Sequence, residues 1–280
     1  VENRSHNKLG SEETGEMQVG NFPIATQWTV NATSALSGSV ILSVVMVIVP
    51  SSGRKGTGWL VSDRHIITNE HVIRGGTVGT VIVQFSDGSA IPANGLLYDS
   101  LTDIAVLTLP NSVPYSPLKI DTSPMDIGTQ VCTWGHPLGY NGPAPILSVG
   151  YLAGFNTHQP QGLSISQKRL VLNAALNPGN SGGPILAWGE QTVRGIAVSK
   201  HAPITPYLKS AIKVLNDNKY GVMYTSTDGQ GNTHDFAESQ IVAEILQYFR
   251  EMTQVVIGEA IVPEDIIAFL DVYGIPWMRA

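Results

Sequence analysis

A serine sits in the middle of the glycine- and proline-rich stretch Asn177-Pro178-Gly179-Asn180-Ser181-Gly182-Gly183-Pro184. Backbone amides in such a turn can converge on a carbonyl oxygen. A serine hydroxyl is nonetheless a poor nucleophile at neutral pH unless a base and an orienting acid stand beside it. Both types occur upstream. His71 lies in Ile66-Ile67-Thr68-Asn69-Glu70-His71-Val72, and Asp103 opens Asp103-Ile104-Ala105-Val106-Leu107-Thr108-Leu109. Imidazole titrates near ~6.5 when unperturbed, so His71 can take the serine proton and return it to a leaving amine. Asp103 would fix the tautomer and stabilise the imidazolium. Gly179 would allow its own N–H and that of Ser181 to point at a developing oxyanion, where one donor is typically worth ~3 kcal/mol. The chemistry open to this set is hydrolysis of a peptide bond through an acyl-enzyme. His65, His136, His158, His201 and His234 have no comparable context. No HxxxH or HExxH pair suggests zinc, so neither metal nor cofactor is expected.

The chain order His, Asp, Ser distinguishes the chymotrypsin arrangement from the subtilisin and α/β-hydrolase orders. Over roughly residues 40–226 the sequence resembles the trypsin/chymotrypsin superfamily, most closely its bacterial HtrA (Deg) branch. The resemblance rests on "TNEHVI" at His71, "TDIAVLTL" at Asp103, "GHPLG" from Gly135 and "NAALNPGNSGGPIL" from Asn173. It implies an all-β, chymotrypsin-like double β-barrel. It also implies a primary substrate pocket floored by Ala175, six residues before the nucleophile, and Leu176, and bordered by Ala197 and Val198. The pocket holds no acid to pair a basic side chain, so small or medium aliphatic residues are expected before the scissile bond. Lys200, near the rim, would instead attract an acidic side chain. Digestive relatives place a serine hydroxyl on the triad acid where this chain has Val198 or Ala197, so that support must come from backbone amides. Asn180 replaces the acid that pairs with a new amino terminus in zymogens, which disfavours activation by trimming. No PDZ pattern follows.

The formal net charge of −6, with 16 scattered Lys and Arg, offers no basic stripe for nucleic acid. A single cysteine, Cys132, excludes an internal disulfide, which suits a bacterial cytoplasm or periplasm alike. The longest apolar run, Ser39–Val49, is shorter than the ~20 residues of a membrane span and reads as a first barrel strand.

Residues 1–20 are polar and aperiodic, and read as a flexible end. A protease domain is expected over 21–234. Its first barrel, at about 21–109, carries His71 and Asp103 on short β-rich runs such as Gly58–Ser62, Val78–Phe85 and Ile104–Leu109. A proline-bounded connector, 110–124, leads to a second barrel at about 125–226, with strands from Gln130–Trp134 to Tyr220–Ser226. Trp59, Trp134 and Trp188 read as barrel packing. Tyr207–Asn216 has helical spacing and interrupts the approach to the last strand. Residues 235–280 read as a helical extension, with one amphipathic helix over 236–249 and another starting at Pro263. Two further readings stay open beside an active endopeptidase. One is a catalytically quiet interaction module. The other is a protease gated by a regulatory protein through 205–218 and 235–280.

Overall fold

The computed structural model describes residues 21–33, 35–160, 166–198, 205–227, 231, 233–252 and 257–280. The expected N-terminal segment 1–20 and Lys200 lie outside the described residues.

Two short helices, α1 (Ile24–Asn31) and α2 (Ala35–Ser43), precede the first sheet. Its strands are β1 (Val44–Val49), β2 (Arg54–Leu60), β3 (His65–Thr68), β4 (Ile82–Gln84), β5 (Ala90–Pro92), β6 (Gly95–Asp99) and β7 (Ile104–Thr108). The helix α3 (Glu70–Ile73) follows β3. The spatial order is β5-β4-β1-β2-β3-β7-β6, and the two end strands do not pair. Valine and isoleucine fill the strand interiors, and Val44, Val45, Val47 and Val49 are all fully buried.

After β8 (Lys119–Ile120) come β9 (Gln130–Gly135), β10 (Ile146–His158), β11 (Gln167–Ala174), β12 (Pro184–Ala187) and β13 (Thr192–Val198). Then follow α4 (Pro206–Asp217), β14 (Met223–Thr227), β15 (Thr233–Ala237), α5 (Glu238–Met252), β16 (Ile257–Ile261) and α6 (Pro263–Val272). The second sheet runs β12-β9-β10-β11-β16-β13, and β13 pairs back onto β12, closing a barrel. One apolar cluster joins the two sheets. It includes Trp59, Ile67 and Val106 from the first, Trp134, Leu186 and Ile196 from the second, and Ile266, Phe269 and Leu270 from α6.

Five expectations need correction. The run Ser39–Val49 divides: the part up to Ser43 belongs to α2, where Ser43 Oγ donates to the Ser39 carbonyl at 2.8 Å, and the strand begins only at Val44. A short apolar run does not settle helix against strand by periodicity alone. The strand expected over Val78–Phe85 shrinks to Ile82–Gln84, flanked by the turn Thr77–Thr80. Tyr220–Ser226 is not a barrel strand: β14 pairs only with β15, and all of β14 is exposed. The strand that completes the second barrel is β16, inside the supposed helical extension, paired with β11 on one side and β13 on the other. Trp59 and Trp134 are buried as expected, but Trp188 is 52% exposed and packs into no core.

These pairings redraw the C-terminal third of the chain. Val198 on β13 lies opposite Glu259 on β16, so everything between them is an insertion linking two neighbouring strands.

Candidate active site

Asp103 stands at the start of β7 and is the only non-glycine among the described residues with positive φ, at 62°. Aspartate tolerates this left-handed region better than most residues. Its carbonyl accepts from Asn69 Nδ2 at 2.9 Å and from the Glu70 N–H at 3.2 Å, which fixes β7 against the first turn of α3. The carboxylate meets His71 twice. His71 Nδ1 lies 2.8 Å from Oδ2 and 3.0 Å from Oδ1, and the His71 backbone N–H donates to Oδ1 at 3.0 Å. A backbone amide thus supports this carboxylate, as the resemblance implied for a chain with no serine at Ala197 or Val198.

His71 and Ser181 line one cleft of about 360 Å³, together with Pro178, Gly179, Leu138, Val72 and the segment Ser52–Lys55. The turn that carries Ser181 is wedged against the first sheet. Gly182 has φ +87°, and a Cβ there would sit 2.1 Å from the Thr57 carbonyl oxygen. Gly179 has φ +97°, and its Cβ would meet the His136 carbonyl at 2.5 Å. Only glycine fits both demands.

Thr57, fully buried on β2, ties the sheets together at this point. Its N–H donates to the Ser181 carbonyl at 2.8 Å, and its hydroxyl donates to the Gly179 carbonyl at 2.7 Å. The same hydroxyl accepts the His136 N–H at 2.9 Å, and the Thr57 carbonyl accepts from Thr68 Oγ1 at 2.7 Å. The Pro178 carbonyl accepts the Leu138 N–H at 2.7 Å. A planar trans peptide points its N–H opposite its carbonyl, so this bond turns the Gly179 N–H away from Leu138. Lys55 Nζ in turn holds the 137–140 loop, donating to the carbonyls of Pro137 at 3.3 Å and Tyr140.

Arg169 enters from the second barrel, on β11. It is 3% exposed, and its guanidinium donates to the Thr102 carbonyl at 3.1 Å, one residue before Asp103. A second nitrogen lies 3.9 Å from the Asp265 carboxylate in the first turn of α6. Burial lowers the arginine's pKa and raises that of Asp265, so desolvation outweighs their attraction, as a 3.9 Å separation leads one to expect.

The expected pocket residues are more dispersed. Leu176 and Ala197 are buried in the second-barrel core, with Leu176 packed onto Gly258 so closely that a Cβ there would lie 2.3 Å from Leu176 Cδ1. Ala175 and Val198 are partly buried, and neither borders the cleft shared by His71 and Ser181. Asn180 is 1% exposed and turns its amide toward the Ala175 carbonyl at 3.5 Å. Sequence reasoning missed Thr57, Arg54, Lys55, Leu138 and Arg169. Thr57 sits just inside "GTGWL", a strand signal with nothing to mark a polar anchor.

Two other reactive types are set aside by burial. It raises the Cys132 thiol to about 11, far from a nucleophilic thiolate. It lowers His136 to about 3, with the Lys55 charge acting in the same direction, and leaves the ring neutral. No cluster of His, Cys, Asp or Glu among the described residues could hold a metal ion, and no described helix is long and apolar enough to cross a membrane.

The sequence model of the trypsin-like peptidase domain matches residues 56–196. A probable periplasmic serine endoprotease, DegP-like, from Chlamydia pneumoniae is 32% identical over 134 residues, 47% of this chain and 26% of that protein. The serine protease Do-like HtrA of Bacillus subtilis is 32% identical over 126 residues, 44% of this chain and 27% of that protein. The chain therefore matches only about a quarter of the length of these relatives. Among solved structures, the Rv3671c protease of M. tuberculosis in its active form superposes with a TM-score of 0.56, covering 90% of this chain and 88% of that one at 19% identity. Its inactive form gives 0.57 at 17% identity over 88% and 95%. At such identities the likeness speaks for the double-barrel fold. HtrA-type proteases are similar to this chain over the same stretch, and with the family model spanning half of it, this chain belongs to the trypsin-like peptidase family.

Proposed function

We propose that the chain is a serine endopeptidase in which Ser181 attacks the scissile carbonyl. His71 takes the serine proton and passes it to the leaving amine, while Asp103 holds the imidazole by Nδ1 and stabilises its charged form. The N–H groups of Gly179 and Ser181 receive the oxyanion. One observation carries the reading: the doubly bonded His71–Asp103 pair opens onto the same cleft as Ser181. No cofactor has a role in this chemistry. No acid stands among Ala175, Leu176, Ala197 and Val198 to pair a basic side chain, which supports small or medium aliphatic side chains, such as Val or Ala, before the scissile bond.

The test is labelling with a fluorophosphonate, followed by cleavage-site mapping on a peptide library. A competent enzyme labels at Ser181 and cleaves after small apolar residues. An unlabelled, folded protein would establish the quiet interaction module instead, and dominant cleavage after Arg or Lys would overturn the pocket assignment.

A gated form of the same activity has one observation in its favour. The segments 205–218 and 235–252 both fall in the insertion that begins right after Val198, so a regulatory protein held there would act beside the substrate strand. Residues 257–280 do not share that role in this reading, because β16 and α6 are built into the barrel and the core.

A further inference from the structure

The cleft is cationic in a chain whose net charge is negative. Arg54 and Lys55 line it beside His71, and none of the described residues lining it carries a carboxylate. Neither cation is ion-paired among the described residues. Arg54 is exposed, and its guanidinium reaches only a neutral acceptor, the His71 backbone carbonyl, at 3.3 Å. Lys55 is half-buried and likewise meets only carbonyl oxygens. Burial lowers its pKa with no carboxylate acting against the shift. A charge that has given up part of its water for neutral dipoles gains most from a carboxylate arriving nearby.

Position decides which part of a substrate would supply that carboxylate. The imidazole that deprotonates Ser181 must also reach the nitrogen that departs, so the groups flanking His71 within the cleft face the leaving half of the peptide. These are Arg54, Lys55 and Val72. On this basis we infer that the cleft selects peptides carrying an aspartate or glutamate in the first residues after the scissile bond, recognised by Arg54 and Lys55. The inference rests on the endopeptidase reading above. It concerns the opposite side of the bond from the aliphatic pocket.

The experiment uses the full chain and peptides that are identical before the scissile bond and carry Glu, Gln or Lys at the first or second position after it. The expected kcat/KM for Glu exceeds that for Gln by about five-fold, the scale of a partly exposed charge pair. Lys is the poorest of the three. The Glu preference should shrink at about 0.5 M salt, where exposed charges are screened beyond a few ångströms. Arg54→Glu should reverse the order, so that Lys outpaces Glu. The Gln peptide within each protein serves as the internal reference, which removes any general loss of activity from the comparison. Equal rates for Glu and Gln would overturn the inference while leaving the protease intact. So would a preference indifferent to salt, or one unchanged in Arg54→Glu. If no peptide is cleaved and Ser181 is not labelled, the endopeptidase reading itself falls, and the inference with it.

Discussion

The seam between the two sheets and the insertion beyond it are built on opposite terms. At the seam, polar groups are buried, with Thr57, Thr68, Asn180 and Ser181 each no more than 4% exposed, and the hydrogen bonds of Thr57 tie the two sheets together. In the insertion, α4 buries no residue at all, and Tyr207, Val214 and Tyr220 are 82%, 68% and 87% exposed. Both regions read as amphipathic or strand-like in sequence. The difference teaches that the chemistry depends on long-range fixation, whereas the insertion is attached to the barrel by its ends and owes it little packing.

The sharpest contrast comes from removing single groups at the seam. Ser181→Ala should abolish peptide hydrolysis, with a loss in kcat on the order of 10^6, and leave the thermal midpoint nearly unchanged. His71→Ala should fall to the same floor, and the double variant no further. Residual turnover equal to the parent would remove Ser181 from its role.

Next in size are two deletions. Cutting the chain before β16 should leave no cooperative unfolding transition, because β11 and β13 each lose a partner and the shared core loses Ile261, Ile266, Phe269 and Leu270. Replacing 199–256 by a short glycine-rich loop should instead preserve cooperative unfolding, since Val198 and Glu259 are already neighbours. Calorimetry on both proteins decides the matter; a collapse of the loop-replaced protein would break the comparison. If it stays folded, its turnover relative to the parent measures the share of control exerted by the insertion.

A pH titration of stability should single out His136. Its folded pKa of about 3 lies below the unfolded value near ~6.5. Between those values the unfolded chain binds a proton that the folded chain refuses, so stability is lost as pH falls through this window. The slope attributable to this ring is at most about 1.4 kcal/mol per pH unit, and His136→Leu should remove it. An identical pH profile in the variant would show that the ring is solvated.

Thr57→Val keeps the shape of the residue but strands the buried His136 N–H and releases the Gly179 carbonyl. We expect a loss of about 2 kcal/mol in stability, with kcat falling more than KM changes, because the freed Gly179–Asn180 peptide lies between the two proposed oxyanion donors, the N–H groups of Gly179 and Ser181. An unaltered kcat would detach Thr57 from the turn. On the insertion, Val214→Ser should move stability by no more than about 0.5 kcal/mol. A larger loss, read from denaturant melts, would mean that α4 is packed after all.

Much of the site was legible because its signals are local. Ser181 announces itself through the glycines its turn requires, and His71 and Asp103 through the strands they end and begin. The pairing of β13 with β16 had no such signal. Ile257–Ile261 is a brief stretch broken by Gly258 and Glu259 on the far side of two helices, and only its partners make it a strand. Thr57 is similar, since its contact with Gly179 spans 122 positions and nothing near it in sequence marks it as polar mortar. Arg169 looks like an ordinary strand cation until Thr102 and Asp265 are seen to flank it. The N-terminal misreading has a different cause. Residues 39–49 are apolar except for Ser39 and Ser43, with no periodicity that separates helix from strand, so the change from α2 to β1 at Val44 is set by the strands that β1 meets, β2 and β4.

The position of β16 also bears on when the enzyme can act during its own synthesis. All strands of the first sheet have been synthesised once Thr108 is made, and Ser181 follows well before Ile261. The second barrel nonetheless keeps two unpaired edges until Ile261 has left the ribosome. At roughly 5–20 residues per second, the interval between those events is on the order of ten seconds. Throughout it the serine turn has no closed barrel behind it. On the proposed mechanism, a nascent chain that carries all three side chains lacks the closed barrel behind Ser181 until β16 has emerged and paired with β11 and β13.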